Sequence, residues 1–513
     1  MSVREAVIRD AAPADAPGAP RARMMLQRAR WAASAFAAYD RAGTATVVQA
    51  AAEAAYQNAE RFARLAVQET GMGVVADKQR KNEACSRGIA ERYRDEDFVG
   101  VRIDAQRKLV EVPKPAGVIL ALTPSTNPVA TVFFKVLLAL MTRNAIVVSP
   151  HPMARRVCAQ AVEVMARAAV GAGAPDGCLQ VVAEPTIPLI EALMGDPGTD
   201  LILATGGTAV VRAAYHSGNP SLGVGPGNVP ALVDASADLA HAAECLAASK
   251  AFDNSILCTN ESTVIVEAAV ASRLISEFNR HGAHVLDGPG TERIRAACYP
   301  DGQINTELAG KDAAALAAAA QISVPRGTRV LVAPFELVVP EEPLAREKLF
   351  PLLGLVTVAD VARGIEAARA LLRIGGAGHS AVIHSRCTEA ILAYGAALPV
   401  LRVSVNAPGS TGSSGLDTHL APTMTIGTGF FGRSSLTENL QPRDLVQWTQ
   451  LAYASDPAQP FGTFDGLEPW TASPARRPAA ATSSPDEPAA DPGLSRAQLR
   501  ELILEELREV VRR

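Results

Sequence analysis

The stretch FDNSILCTNES (252–262) sets one thiol, Cys258, among small and polar residues, with Asn254 before it and Thr259, Asn260 and Glu261 after it. A thiol acts as a nucleophile when it lies in an accessible turn with N–H donors close by. Packed in apolar surroundings it is only a small hydrophobe, the usual fate of a cysteine. The turn residues around Cys258, between a helical run and the strand-like STVIVEA, favour the first reading. Cys85, Cys158, Cys178, Cys245, Cys298 and Cys387 lack that context and read as packing. A second candidate is Asn127 in TPSTNP (123–128), where a strand hands over to a helix. Its side chain can cap the helix or donate an amide N–H to an oxyanion forming on a carbonyl substrate. A third is the pair Gly206 and Gly207 in LATGGTAVVRAAY (203–215). There the free N–H groups of a helix start favour a phosphate or a cofactor. GVGPGNVP (223–230) reads first as a tight glycine-rich turn.

Such groups need elements to hold them. The spacing predicts helices from Arg21 to about Ala90, with Gly71 ending one of them. KLVEVPKPAGVILALTP (108–124) is rich in β-branched residues and reads as strands. From there strands and longer helical runs alternate: a helix over 127–144, the strand AIVVSP, a helix from MARRVC, LQVVAE, IPLIEALMGD, DLILATGG and TAVVRAAYHSG. That alternation is the pattern of a parallel sheet in an α/β domain. It resumes after GPGNVPALVD and predicts a second α/β layer over about 235–425, with DLVQWTQLAYA (444–454) closing the globular part.

With 513 residues, the chain can hold two or three domains. Its 48% apolar and 20% charged residues are those of an ordinary globular protein. A net charge of −4 supplies no basic field, so no nucleic-acid partner is expected. No Cys-x-x-Cys and no Cys/His cluster at zinc spacing occurs, so no metal is expected and the thiols read as reduced and cytosolic. The start, with Arg4, Glu5, Arg9 and Asp10, lacks the apolar core of a signal peptide. Apolar stretches such as VFFKVLLALM (132–141) are too short to span a bilayer, so no membrane association is expected.

Residues 455–494 are dominated by Pro, Ala, Ser and Asp without apolar period, and read as a disordered linker. SRAQLRELILEELREVVRR (495–513) is helical, with Leu499, Leu502, Ile503, Leu507, Val510 and Val511 on one face and Ser495 with Gln498 as a capping box. Such a helix either packs on its own domain, pairs with a copy of itself, or docks in another protein's groove. The long tether favours the docking role.

Taken together, LTPSTNP, RNAIVVSPHP (143–152), LATGG, GVGPGNVP, FDNSILCTNES, GGAGHSAVIH (375–384) and TIGTGFFGRSSLTENLQPRDL (425–445) resemble, in order, the aldehyde dehydrogenase superfamily and specifically its CoA-acylating branch. The resemblance covers about residues 25–450. It implies an α/β fold with two Rossmann-like domains and a small oligomerising β segment. The implied divisions are a lead-in over 1–20, an NAD-binding domain over 21–235 with a return segment 425–454, and a catalytic domain over 236–424. The linker 455–494 and the helix 495–513 follow.

By the same resemblance Cys258 is the nucleophile, and Asn127 with the Cys258 N–H forms the oxyanion site. Thr205, Gly206 and Gly207 face the cofactor pyrophosphate, and Ser149, Pro150 and His151 lie by the adenosine. Glu347, in EKLFPLL, holds the nicotinamide ribose, while His379 and Asn406 match family positions without an assigned step. NAD is the implied cofactor and coenzyme A the co-substrate. Hydrolytic relatives carry a Glu-Leu-Gly-Gly segment whose glutamate activates water. Here GVGPGNVP stands in its place, and no acid occurs over 217–233. The implied reaction therefore oxidises a short aldehyde, such as propanal, acetaldehyde or sulfoacetaldehyde, to an acyl-CoA through a Cys258 thioester. Hydrolytic oxidation to a carboxylic acid and a catalytically silent scaffold are the alternatives. A homodimer or homotetramer is implied. So are two settings, the open cytoplasm or the inside of a bacterial microcompartment, with 495–513 resembling an encapsulation peptide for a shell protein.

Overall fold

Runs of β-branched residues buried on both faces belong inside a parallel sheet covered by helices. Two such sheets form in the computed structural model, which describes residues 17–464 and 466–470. VILALT (Val118–Thr123) and AIVVSP (Ala145–Pro150) are buried at every position. They lie inside a five-stranded parallel sheet ordered Leu179–Val181, Ala145–Pro150, Val118–Thr123, Leu201–Thr205, Ser221–Val224. The order of winding reverses between Val118–Thr123 and Leu201–Thr205. A reversal of this kind opens a crevice at the carboxyl ends of the strands, where doubly wound sheets take their ligands.

The second parallel sheet has seven strands: Ala283–Val285, Val330–Pro334, Leu352–Val358, Glu261–Glu267, Val229–Val233, Ala381–His384 and Val403–Val405, in that spatial order. The chain changes sheet between Val224 and Val229, ahead of the boundary expected at 235, so GVGPGNVP is the crossing itself. A third, antiparallel sheet joins Arg102–Asp104, Leu109–Pro115 and Val446–Ala452, with Trp448 opposite Pro113.

The expected linker starts too early. Lys108 Nζ donates to the carbonyls of Asp456 and Gln459 at 2.6 and 2.7 Å. Phe461 and Phe464 pack on Tyr453, with ring centroids 5.1 and 6.2 Å away. Scattered aromatics in a Pro-rich stretch carry no period, and their contacts are made only in space. The first helix, Ala19–Phe36, begins within the expected lead-in. Residues 1–16 and the expected helix 495–513 lie outside the described residues. All seven cysteines are free, but Cys387 departs from the packing role, since it is half-buried and lies 3.3 Å from the Glu389 carboxylate. Among the described residues no helix is long and apolar enough to cross a membrane.

The helix Pro128–Met141 (PVATVFFKVLLALM) is buried at every position, as its all-round apolar sequence demands. Lys135 is the exception in its middle. Its Nζ donates to the carbonyls of Leu122 and Leu203, at 2.8 and 2.9 Å, one on each strand beside the reversal. Burial without a carboxylate partner brings its ammonium down from 10.5 to about 7. The unfolded chain keeps that proton up to about 10.5, so between these values it binds more protons than the fold, and stability rises with pH there. In urea denaturation the wild type should therefore gain roughly 1–3 kcal/mol on Lys135→Met between pH 7 and pH 10. A difference that does not change with pH would show that the folded chain keeps this proton as readily as the unfolded chain.

Candidate active site

The helix Leu239–Ala251 runs into FDNS, where Asp253, Asn254 and Ser255 all take positive φ, at 48°, 50° and 64°. Each left-handed residue costs on the order of 1 kcal/mol, least for Asn and Asp. The turn is held by side chains. Asp253 Oδ1 accepts from Val74 N–H at 2.7 Å, and Oδ2 accepts from Lys78 Nζ at 3.1 Å and from Lys81 Nζ. The Asp253 N–H donates to Asp77 Oδ2 at 2.8 Å, and Asn254 Nδ2 to the Gly310 carbonyl at 2.9 Å. Asn260 Oδ1 accepts the Leu257 N–H at 2.9 Å while its Nδ2 donates to the Ser249 carbonyl. Cys258 stands between these anchors, just ahead of the strand Glu261–Glu267.

Asn127 occupies the cap position of Pro128–Met141 but makes no capping hydrogen bond. Its Oδ1 accepts from Lys81 Nζ instead. Its Nδ2 makes only long contacts, 3.3 Å to the Ile256 carbonyl and 3.4 Å to Thr126 Oγ1, and so faces the Cys258 turn.

One cavity of about 670 Å³ opens at the carboxyl ends of the five-stranded sheet, and Asn127, Ser149, Pro150, His151, Thr205, Gly206, Gly207, Cys258 and Glu347 all line it. Along the chain these residues lie in five separate segments. A Cβ on Gly207 would meet no atom within 4 Å, so this glycine leaves space in the cavity rather than relieving a clash. The helix Thr208–His216 behind it starts without a side-chain cap, which leaves its first N–H groups open to an anion. The cavity, its uncapped helix start and its glycines suit a dinucleotide. His151 is exposed, and its Nδ1 accepts the Met153 N–H at 3.2 Å.

Gly227 is required where it stands. A Cβ there would lie 2.1 Å from the Cys258 carbonyl oxygen and 3.4 Å from His379 Cε1. The crossing GVGPGNVP is thereby pressed against Cys258, and the Gly227 N–H donates to Glu347 Oε1 at 3.0 Å. Glu347 is thus the half-buried acid that the tertiary fold brings into the cavity, where the other acid, Glu191, is exposed, and burial raises the Glu347 carboxyl to about 7. Burial and then the Glu347 charge push the Cys258 thiol up to about 12. The resting sulfur is a protonated thiol at neutral pH. Among the described residues no carbonyl accepts the Cys258 N–H.

Glu261 is buried, accepts the Gly409 N–H at 2.6 Å and does not line the cavity. His379 is buried against Gly227, 2.9 Å from Ser380 Oγ, and burial followed by the Arg402 charge takes its ring down to about 3. Asn406 lies off the cavity and pairs with Ser385, accepting its N–H at 3.0 Å and donating to its carbonyl at 2.8 Å. The residues missed from sequence are Lys78 and Lys81. Their spacing in ADKQRKN puts both on one helix face, but a lysine pair ordinarily signals solvent, and these are buried.

Residues 5–413 match the sequence profile of the aldehyde dehydrogenase family. The chain is 35% identical over 428 residues to the bifunctional aldehyde-alcohol dehydrogenase AdhE of Escherichia coli (strain K12), covering 82% of this chain and 48% of that protein. It therefore spans about half the length of that relative. It is 36% identical over 437 residues to the succinate-semialdehyde dehydrogenase (acetylating) of Clostridium kluyveri, covering 85% of this chain and 96% of the relative. An acetylating aldehyde dehydrogenase from Geobacillus thermoglucosidasius superposes with a TM-score of 0.84 at 34% identity, over 85% of this chain and 97% of that one. A propionaldehyde dehydrogenase from the Clostridium phytofermentans fucose utilisation bacterial microcompartment gives a TM-score of 0.76 at 28% identity, over 84% and 97%. Motif order, sheet topology and a profile match over most of the chain agree, and the protein belongs to the aldehyde dehydrogenase family.

Proposed function

We propose that this protein is a CoA-acylating, NAD-linked aldehyde dehydrogenase acting on short aldehydes. The observation that carries the reading is the segment against Cys258. Where hydrolytic relatives place a glutamate, GVGPGNVP presents glycine and main chain. The acetylating relative and the propionaldehyde-dehydrogenase neighbour support the same chemistry.

In this reading the Cys258 thiol gives its proton to solvent at the mouth of the cavity as its sulfur adds to the aldehyde carbon, and the carbonyl π pair moves onto oxygen. The oxyanion so formed takes hydrogen bonds from Asn127 Nδ2 and the Cys258 N–H, each worth a few kcal/mol in the transition state. Thr205, Gly206, Gly207, the Ser149–His151 corner and Glu347 would hold NAD, which would supply the hydride acceptor. Collapse of the oxyanion leaves an acyl thioester on Cys258. Water attacks such a thioester slowly without a base. The CoA thiolate attacks the acyl carbon, and Cys258 leaves as the thiolate. The acyl-CoA product keeps the thioester bond energy that hydrolysis would lose.

A second reading, hydrolytic turnover, draws support from Glu347, a carboxyl near neutrality inside the cavity. The segment 495–513 lies outside the described residues, and its apolar spacing suits a tag for a microcompartment shell protein. A dimer or tetramer fits the family reading.

NADH formation from propanal should require CoA, with the rate without CoA lower by about tenfold or more, as expected when no base serves water; full turnover without CoA would establish the hydrolytic reading. Cys258→Ala should abolish turnover in either case. Carbamidomethylation of Cys258 by iodoacetamide in the ligand-free protein, read by mass spectrometry, should keep accelerating about tenfold per pH unit from 7 to 10. A plateau near 8 would show that the thiol is not held up by burial. Removal of 495–513 should leave turnover within about twofold, as expected if the segment serves only as a docking tag, and abolish co-purification with shell proteins; loss of folding would make the segment structural instead.

A further inference from the structure

Lys81 lies on the helix Val75–Glu83 and is 1% exposed. Its ammonium bonds two acceptors at once, Asn127 Oδ1 and Asp253 Oδ2. Lys78, one turn earlier, bonds Asp253 Oδ2 at 3.1 Å and the Thr126 carbonyl at 3.0 Å. The two lysines grip the loop TPSTNP at adjacent residues and fasten it to the left-handed turn that precedes Cys258.

We propose that Lys81 is a positioning residue for the oxyanion site, holding the Asn127 amide with Nδ2 toward Cys258 and tying it to the turn that aims the thiol. The inference rests on the reading of Cys258 and Asn127 given above. An ammonium has donors and no acceptor, so the amide atom facing it must be Oδ1. That selects one of the two amide orientations. In the flipped one a carbonyl oxygen would face the thiol and repel an oxyanion. A cation on Oδ1 also draws electron density from the amide and strengthens its N–H groups as donors. Thermodynamic stability is a weak reason to keep such a contact, because burying an ion pair costs about what its attraction returns. Geometric definition of the site is the remaining use.

The test is a double-mutant cycle in the full-length protein with propanal, NAD and CoA. Asn127→Ala should lower kcat by ~10²–10³, the usual loss for one oxyanion donor. Lys81→Met should lower kcat by roughly tenfold or more, with KM for propanal and NAD within about threefold, because it disturbs a contact made in the transition state. In the Asn127→Ala background the same Lys81→Met should lower kcat by several-fold less than in the wild type, since the part of its effect that passes through Asn127 is already lost and only the part through Asp253 remains. Lys81→Gln, which keeps a donor for Oδ1, should retain more kcat than Lys81→Met. Additive losses, or equal losses in both Lys81 variants, overturn the proposal while leaving the role of Asn127 intact. An unchanged kcat in Asn127→Ala overturns the oxyanion reading and the proposal with it. If Lys81→Met fails to fold, Lys81→Gln is compared in both backgrounds, and additivity there is equally fatal.

Discussion

A single buried carboxylate, Asp253, joins parts of the chain that lie far apart in sequence. It accepts from the main chain at Val74, 179 positions earlier, and from Lys78 and Lys81 on the next helix. It does so while holding a left-handed conformation in company with Asn254 and Ser255. A turn of this kind does not persist without outside support. Its side-chain anchors provide that support, and one of them, Lys81, also reaches Asn127. The thiol and the amide are therefore set by the same group. Loosening the carboxylate would move both together.

The rest of the site follows from how the five-stranded sheet is wound. Reversal of strand order leaves a crevice at the carboxyl ends, and the fully buried helix Pro128–Met141 packs next to it. Lys135 bridges the two strands at the reversal from below. Above, the uncapped start of Thr208–His216 and the open space at Gly207 leave room and dipole for a phosphate-bearing ligand. Charge is scarce deeper in. In the cavity wall burial takes Glu347 up to about 7 and Cys258 up to about 12, and just behind it takes Glu261 up to about 7 and His379 down to about 3. Each of these groups is pushed toward its neutral form, as a low-dielectric pocket requires. An oxyanion born beside these neutral groups meets a low-dielectric wall, so the donors facing it weigh more than they would in solvent.

Much of the fold was legible from periodicity. β-branched runs became buried parallel strands, and the longer amphipathic runs between them became helices, because spacing along the chain decides which face can be buried. Strand order and the sheet change at GVGPGNVP were not legible, since pairing partners are chosen across the fold. The packing of residues 456–464 is not legible for a related reason: Lys108 and Tyr453 capture them through contacts that leave no local pattern. Nothing beside Cys387 in sequence marks it as other than packing, yet it lies half-buried beside Glu389.

The site divides the same way. Motifs alone determined which residues were candidates: Cys258 among turn formers, Asn127 at a strand-to-helix junction, Gly206 and Gly207 at a helix start. Only the tertiary structure decided that they share one cavity, that Asn127 forgoes its cap and turns its amide toward the Cys258 turn, and that Glu347 is a half-buried acid of that cavity. Residue type and spacing are properties of neighbours along the chain. Amide orientation and thiol acidity depend on what approaches through space, and the groups that approach here, Lys81 and Glu347, come from 46 positions before Asn127 and from beyond the next strands after Cys258.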